Sequence, residues 1–221
     1  MSRQAMVIGL GQFGMAMARS LADHGVEVLA VDRRQDRVQA VSAFVADAQR
    51  MDATDEAALN RAAPGRRDVC VVAIGDEGKE GSILVTALLR QMGARRIVAR
   101  ATDALHERIL LLVGAHEVVN PERAFGERLA TRLAHAGILE ELPLGDDLVI
   151  TELAVPPAFI GRSLTDLELR RRFGVTIIAV RRTEEGRGRV LLPEPRQPLR
   201  DGDVLVAVGA PEAAARIVEG L

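Results

Sequence analysis

Residues 5–14 read AMVIGLGQFG, and the organisation of the chain can be worked outward from them. The run 5–9 is apolar without polar alternation, as expected of a strand buried on both faces of a parallel sheet. It leads into Gly9-Leu10-Gly11-Gln12-Phe13-Gly14, a G-x-G-x-x-G turn, and then into a helical pattern over 13–24. There Met17, Ala18 and Leu21 share one face, and Gly25 suits the C-terminal cap. In such a turn Gly9 permits the tight bend, Gly11 lets the backbone approach a pyrophosphate, and Gly14 lets helix pack closely on strand. The helix start adds unpaired N–H groups and partial positive charge aimed at phosphates. The next strand, VEVLAVD, ends at Asp32, where a carboxylate can accept ribose hydroxyls. An acid there favours a free 2′-hydroxyl, as in adenosine-type ligands or NAD, while Arg33 and Arg34 beside it can accommodate a phosphate.

The same alternation continues. Apolar runs at 26–31, 69–74 and 97–99 read as further buried strands, with weaker ones at 44–48 and 117–119. Helical patterns lie between them at 36–43, from Thr54 with that residue as N-cap, at 81–92, at 104–112 and at 122–136. Strand then helix, about six times over, predicts a doubly wound Rossmann-type α/β domain with a parallel sheet. Asp52 follows the third strand and Gly75 ends the fourth. A carboxylate at a strand's carboxyl end faces the ligand crevice of such a sheet, and a glycine there lets backbone pass close to a ligand. Asp52 fits a helix cap equally well.

Near Gly137 the pattern changes. Residues 140–147, with Pro143, Gly145 and two adjacent aspartates, read as a linker. Strands are expected at 148–155, 175–180, 189–192 and 204–208. One helix spans 164–173 behind Ser163, and a last one runs from Glu212 to the end. This is a second, smaller α+β unit. The expected division is a nucleotide-binding domain over 1–139 and a ligand or regulatory domain over 145–221.

Composition excludes several function classes. A net charge of −2 gives no general attraction to nucleic acid, and aromatic residues make up only 2% of the chain, too few for base-stacking platforms. No helix-turn-helix unit or basic face is evident, so a DNA-reading redox sensor lacks its reader. The opening MSRQAMVIGLG lacks an apolar segment before a cleavage site, and no run of about 18 apolar residues exists, so neither a signal peptide nor a membrane span is expected. Cys70, the single cysteine, sits in DVCVVAI as a small buried hydrophobe. The histidines, His24, His106, His116 and His135, sit in no catalytic setting, and no His/Cys cluster has zinc-ligand spacing. Binding is expected rather than turnover; the alternative is a small NAD-dependent oxidoreductase, which needs an acid/base pair not seen here.

Taken in order, VIGLGQFG (7–14), VLAVD (28–32), DAT (52–54), VAIG (72–75) and GAHEVVNPE (114–122) resemble the RCK (regulator of K⁺ conductance) family. IGRSL (160–164), RRRFGVTIIAV (170–180) and LRDGDVL (199–205) resemble its C-terminal subdomain. The likeness is to the TrkA/KtrA-type cytosolic subunits of bacterial potassium uptake systems. It implies homodimers assembled into a larger ring, an octamer, on the cytosolic face of a membrane-embedded potassium channel or transporter, with ligand changing the ring's shape. The implied ligand is an adenine nucleotide (ATP or ADP) or NAD(H). By position it implies a site of Gly9, Gly11, Gln12, Phe13, Gly14, Asp32, Arg33, Asp52, Ala53, Ile74, Gly75, Arg100 and Glu122, with Glu122 holding Mg²⁺ or Ca²⁺. KtrA-type members that bind ATP often carry Arg where Gln12 stands, and Gln cannot neutralise a γ-phosphate, which leaves NAD(H) open. Helix 122–136, with Phe125, Leu129 and Leu133 in one stripe, is expected either to pack a dimer or to dock on the sheet. Some relatives bind cyclic di-AMP in the C-terminal subdomain; the matching positions are Leu164, Leu169, Arg170, Thr176, Ile177 and Pro193. Relatives that bind it usually have Asn where Thr176 stands, and Thr lacks the amide's paired donor and acceptor.

Overall fold

A computed structural model describes residues 2–75, 78–184 and 187–219. Strands β1 (Gln4–Ile8), β2 (Glu27–Asp32), β3 (Asp47–Arg50), β4 (Val69–Val72), β5 (Ile97–Arg100) and β6 (Glu117–Val119) form one sheet, in the order β3-β2-β1-β4-β5-β6. Every pairing in it is parallel. Successive side chains of each strand feed opposite faces. Met6, Ile8, Leu29, Val31, Cys70 and Val72 pack with Leu59, Val85, Leu89 and Leu110. Those four come from α3 (Glu56–Arg61), α4 (Lys79–Gln91) and α5 (Ala104–Leu112). Val7, Val28, Ala30 and Val71 pack on the other face against Ala18 of α1 (Gln12–Asp23) and Val38 and Val41 of α2 (Gln35–Val41). Two covered faces explain why the central strands read as unbroken apolar runs, each buried aliphatic side chain stabilising by about 1.5–3 kcal/mol. Strand order reverses between β1 and β4, which opens a crevice at their carboxyl ends.

The chain divides into two compact units, Met1–Glu122 and Arg123–Leu221. Helix α6 (Pro121–Ala134) spans that division. In the second unit, β7 (Ile138–Pro143), β8 (Val149–Ala154), β9 (Thr176–Glu184), β10 (Arg187–Leu191) and β11 (Val204–Gly209) form an antiparallel sheet, in the order β10-β9-β11-β8-β7. Helices α7 (Leu164–Leu167), α8 (Leu169–Phe173) and α9 (Ala213–Glu219) complete it. Along β8 and β11 every second residue is buried, the alternation of a sheet with one packed face. Leu153, Phe159, Leu167, Leu205 and Ile217 make that core.

Several local expectations shift. The strand expected at 44–48 lies at 47–50, because Phe44 and Val45 are apolar for packing ahead of the strand, which is itself a mostly exposed edge. Asp55, not Thr54, caps α3, its carboxylate accepting the N–H groups of Ala57 and Ala58 at 2.9 and 3.1 Å. The helix expected over 164–173 is broken at Glu168, which takes φ +46°. That left-handed residue turns both Leu167 and Leu169 into the core, which one straight helix cannot do at a spacing of two. Residues 138–143, partly read as linker, form an edge strand, and Pro143 is tolerated at its end. Strand β9 continues through polar residues because Arg182, 5% exposed, is held by the Asp203 carboxylate at 2.8 and 2.6 Å. The last two positions of the expected final helix lie outside the described residues.

Candidate functional site

At the crevice between β1 and β4 lies a cleft of about 410 Å³. Its floor is the glycine loop. Gly9 sits at φ +92°, and its N–H donates to Val31 O at 2.8 Å, tying the loop to β2. Gly14 is where the helix meets the loop: a Cβ there would stand 1.8 Å from Gly9 O and 3.1 Å from the Ala73 Cβ. Gly11, at the N-cap of α1, differs. Its backbone is ordinary extended chain (φ −69°, ψ −170°), and a Cβ there would meet nothing within 4 Å. Gly11 lines the cleft, so the missing side chain leaves room beside the helix N-terminus for something other than protein.

Asp32 is 6% exposed. Its Oδ2 accepts the Leu10 N–H at 2.7 Å and its Oδ1 accepts the Arg34 N–H at 2.8 Å, while Arg37 Nη1 lies 3.5 Å from Oδ2. The carboxylate therefore holds the glycine loop in place and still borders the cleft. Asp52 accepts the N–H and hydroxyl of Thr54 at 3.0 and 2.7 Å. Those two hydrogen bonds, aided by the Arg33 charge, hold its carboxyl below the usual carboxylate range.

On the β5 side of the cleft stands an arginine. Arg100, at the end of β5, is 16% exposed at its side chain and stands 5.8 Å from the Phe13 ring centre. A Cβ on Gly75 would lie 3.3 Å from Arg100 Nη1, so the glycine lets the guanidinium rest against backbone. Nη2 donates to Glu122, whereas Nε is buried with no partner. A buried, unsatisfied donor on a cation is costly.

Of the residues expected at the site, Gly9, Gly11, Asp32, Arg33, Asp52, Ala53, Ile74, Gly75 and Arg100 line this cleft together. Gln12, Phe13, Gly14 and Glu122 do not; Gln12 and Glu122 are exposed, Phe13 backs Arg100, and Gly14 is buried in packing. Arg37, Met51, Thr54, Gly78, Gly81 and Val85 also line it, though the sequence reading did not place them at the site. Gly78 and Gly81 carried a legible signal, small residues where a helix follows a buried strand, the same logic as the first loop. Arg37 carried none beyond its place in the first turn of α2.

Among the described residues lining the cleft there is no His, Lys, Tyr or Cys. The histidines are engaged elsewhere. His106 Nε2 is 2.8 Å from Ser82 Oγ, His116 Nδ1 accepts the Ile97 N–H at 2.9 Å, His24 Nδ1 is 2.7 Å from Ser20 O, and His135 pairs with Glu219. Among the described residues no three His, Cys, Asp or Glu side chains group as a metal site, and no helix is long and apolar enough to cross a membrane.

The second unit has its own groove of about 410 Å³, lined by Leu164, Leu169, Arg170, Thr176, Ile177 and Pro193 among others. Thr165 pins its proline loop, both its N–H and its hydroxyl donating to Pro195 O at 2.9 and 2.8 Å. On α6 none of the described residues is buried; in the stripe, Phe125 and Leu133 are 58% and 77% exposed and Leu129 is half-buried.

Residues 5–121 match the TrkA-N domain and residues 148–219 the TrkA-C domain. The Ktr system potassium uptake protein A of Vibrio alginolyticus is 33% identical over 99% of this chain and 98% of its own. The Ktr system potassium uptake protein C of Bacillus subtilis is 31% identical over 95% and 93%. Among solved structures, the GsuK channel bound to NAD superposes with a TM-score of 0.70 at 20% identity, covering all of this chain and 40% of that one, a likeness of fold.

Proposed function

The chain belongs to the family defined by the TrkA-N and TrkA-C domains, and from that premise we propose that it is a cytosolic nucleotide-sensing regulatory subunit of a Ktr/Trk-type potassium uptake system. The observation that carries this reading is the cleft: a loop with open space at Gly11, a helix N-terminus behind it, and a buried arginine nitrogen without a partner. The diphosphate of ADP or of NAD(H) supplies what these groups lack, and Asp32 and Arg37 stand at the ribose end. The lack of a proton donor among the described lining residues, and an Asp52 held ionised, favour sensing over the oxidoreductase alternative. We divide the chain accordingly into a nucleotide-binding part, 1–139, and a regulatory part, 145–221.

Gating follows from differential affinity: the nucleotide binds one arrangement of the assembled regulator better than another, and shifts the population by that difference alone. The partner in this reading is a membrane-embedded potassium channel or transporter subunit, which holds the regulator at the inner face of the membrane. The exposed Phe125 and Leu133 on α6 support pairing with a second copy, and exposed Leu105, Leu111 and Leu112 on α5 support contacts around a ring. Glu122 meets Mg²⁺ or Ca²⁺ only with phosphate or second-copy oxygens, since one carboxylate does not fill a hard cation's shell. In this reading cyclic di-AMP, where it acts, is taken by the groove that Arg170 and Thr176 line. The test is potassium uptake at low external potassium in cells lacking this chain. Wild type is expected to restore growth and Gly11→Ala to fail; rescue by both removes the nucleotide from the mechanism.

A further inference from the structure

Arg100 and Glu122 together carry a consequence for how a ligand enters the cleft. A guanidinium grips an anion best along one edge, with two parallel N–H donors. On Arg100 that edge is Nε with Nη2, and the structure splits it: Nη2 donates to Glu122 and Nε is buried with no partner. Arg100 lines the cleft and Glu122 does not, so the carboxylate holds half of the fork from outside. Its side chain is 60% exposed, so water receives it readily when it leaves. It also lies in the first turn of α6, where the helix dipole stabilises a negative charge that has lost its partner.

We propose that Glu122 is an internal competitor for Arg100, one that a nucleotide phosphate must displace to take the whole fork. This rests on the nucleotide reading of the cleft and adds to it a regulation of affinity. The apparent dissociation constant is the intrinsic one divided by the fraction of molecules in which the arginine is free of Glu122. The sign is opposite to that of a simple contact residue: without a divalent cation, removing the Glu122 charge strengthens binding.

The experiment is calorimetric titration of the full chain in EDTA with ADP, for wild type, Glu122→Gln, Arg100→Gln and the double variant, and of wild type also with NADH. Glu122→Gln is expected to bind about threefold tighter, the scale of a pair with one solvent-exposed partner. Arg100→Gln is expected to bind about tenfold weaker, from loss of a charged donor, and Glu122→Gln to add nothing in that background. Circular dichroism checks each fold; should Arg100→Gln not fold, Arg100→Lys replaces it, keeping the charge without the fork. Unchanged or weaker binding by Glu122→Gln overturns the proposal. So does a gain that persists without Arg100, which would be plain charge repulsion. In either case wild-type binding leaves the reading of the cleft intact, whereas wild type that binds neither ADP nor NADH removes the reading and the competitor together.

Discussion

Replacing Gly11 and Gly14 in turn separates the two tasks of the glycine loop. Alanine at Gly11 fits the backbone, and its Cβ meets nothing within 4 Å. Alanine is a poorer N-cap than glycine, but it also narrows the unfolded ensemble by about 0.4–1 kcal/mol, so stability should stay within about 0.5 kcal/mol of wild type. The methyl nevertheless stands in the cleft beside the helix N-terminus. Pushing a phosphate off one charge-assisted hydrogen bond loses about 1.5–3 kcal/mol, roughly ten- to a hundredfold in affinity. At Gly14 the same methyl lies 1.8 Å from Gly9 O, and Gly9 is anchored by its bond to Val31 O. Loop or helix must move by roughly 1 Å or more, placing the loss at the upper end of about 1–3 kcal/mol for overpacking. Urea unfolding followed by circular dichroism reads stability, and titration with ADP and NADH reads binding. Gly11→Ala that binds like wild type, or Gly14→Ala that unfolds like wild type, refutes the division of labour.

Asp32→Ala strips the buried Leu10 N–H and the Arg34 N–H of their acceptor, and should lower stability by about 3 kcal/mol besides weakening nucleotide binding; wild-type stability would confine Asp32 to the ligand. Asp203→Ala removes the carboxylate that accepts two hydrogen bonds from the buried Arg182 guanidinium, and is expected to cost about 3 kcal/mol by urea unfolding. Burial opposes the charge of Asp203, but hydrogen bonds from Arg182 and the Arg200 N–H outweigh it and hold the carboxyl below its ordinary value of 3.8. Its stabilisation is therefore complete above that value and lost as the pH falls below it, so Asp203→Asn should flatten the acid unfolding followed by circular dichroism between about pH 5 and 2. Burial pushes the Cys70 thiol up to about 12; a disulfide reagent at pH 8 should leave it untouched in the native chain and label it rapidly in urea, and rapid native labelling would contradict its burial.

The parallel sheet was legible because both its faces are covered, which leaves β1, β2 and β4 as bare apolar runs that periodicity reads directly. Edge elements were not. In β3 the apolar Phe44 and Val45 serve packing ahead of the strand, and β7 ends in a proline that reads as a turn. The break at Glu168 escaped because a left-handed glutamate has no composition signal; the structure shows it through the burial of both neighbouring leucines. At the site, the glycines and Asp32 were legible because a phosphate loop constrains spacing. The loop-holding bond from Asp32 to the Leu10 N–H, and the approach of Arg37, depend on three-dimensional closure that no local pattern encodes. The partition of Arg100 between cleft and Glu122 joins residues 22 positions apart, and only the fold brings them together.

In the proposed function, the crevice between β1 and β4 binds an adenine nucleotide. Calorimetric titration of the full chain with ATP, ADP, NAD and NADH, each with and without Mg²⁺ or Ca²⁺, addresses it most directly. Saturable binding of at least one of them, one per chain and weakened by Gly11→Ala, is the predicted result. Binding by none of the four in any condition would leave the fold without its proposed ligand.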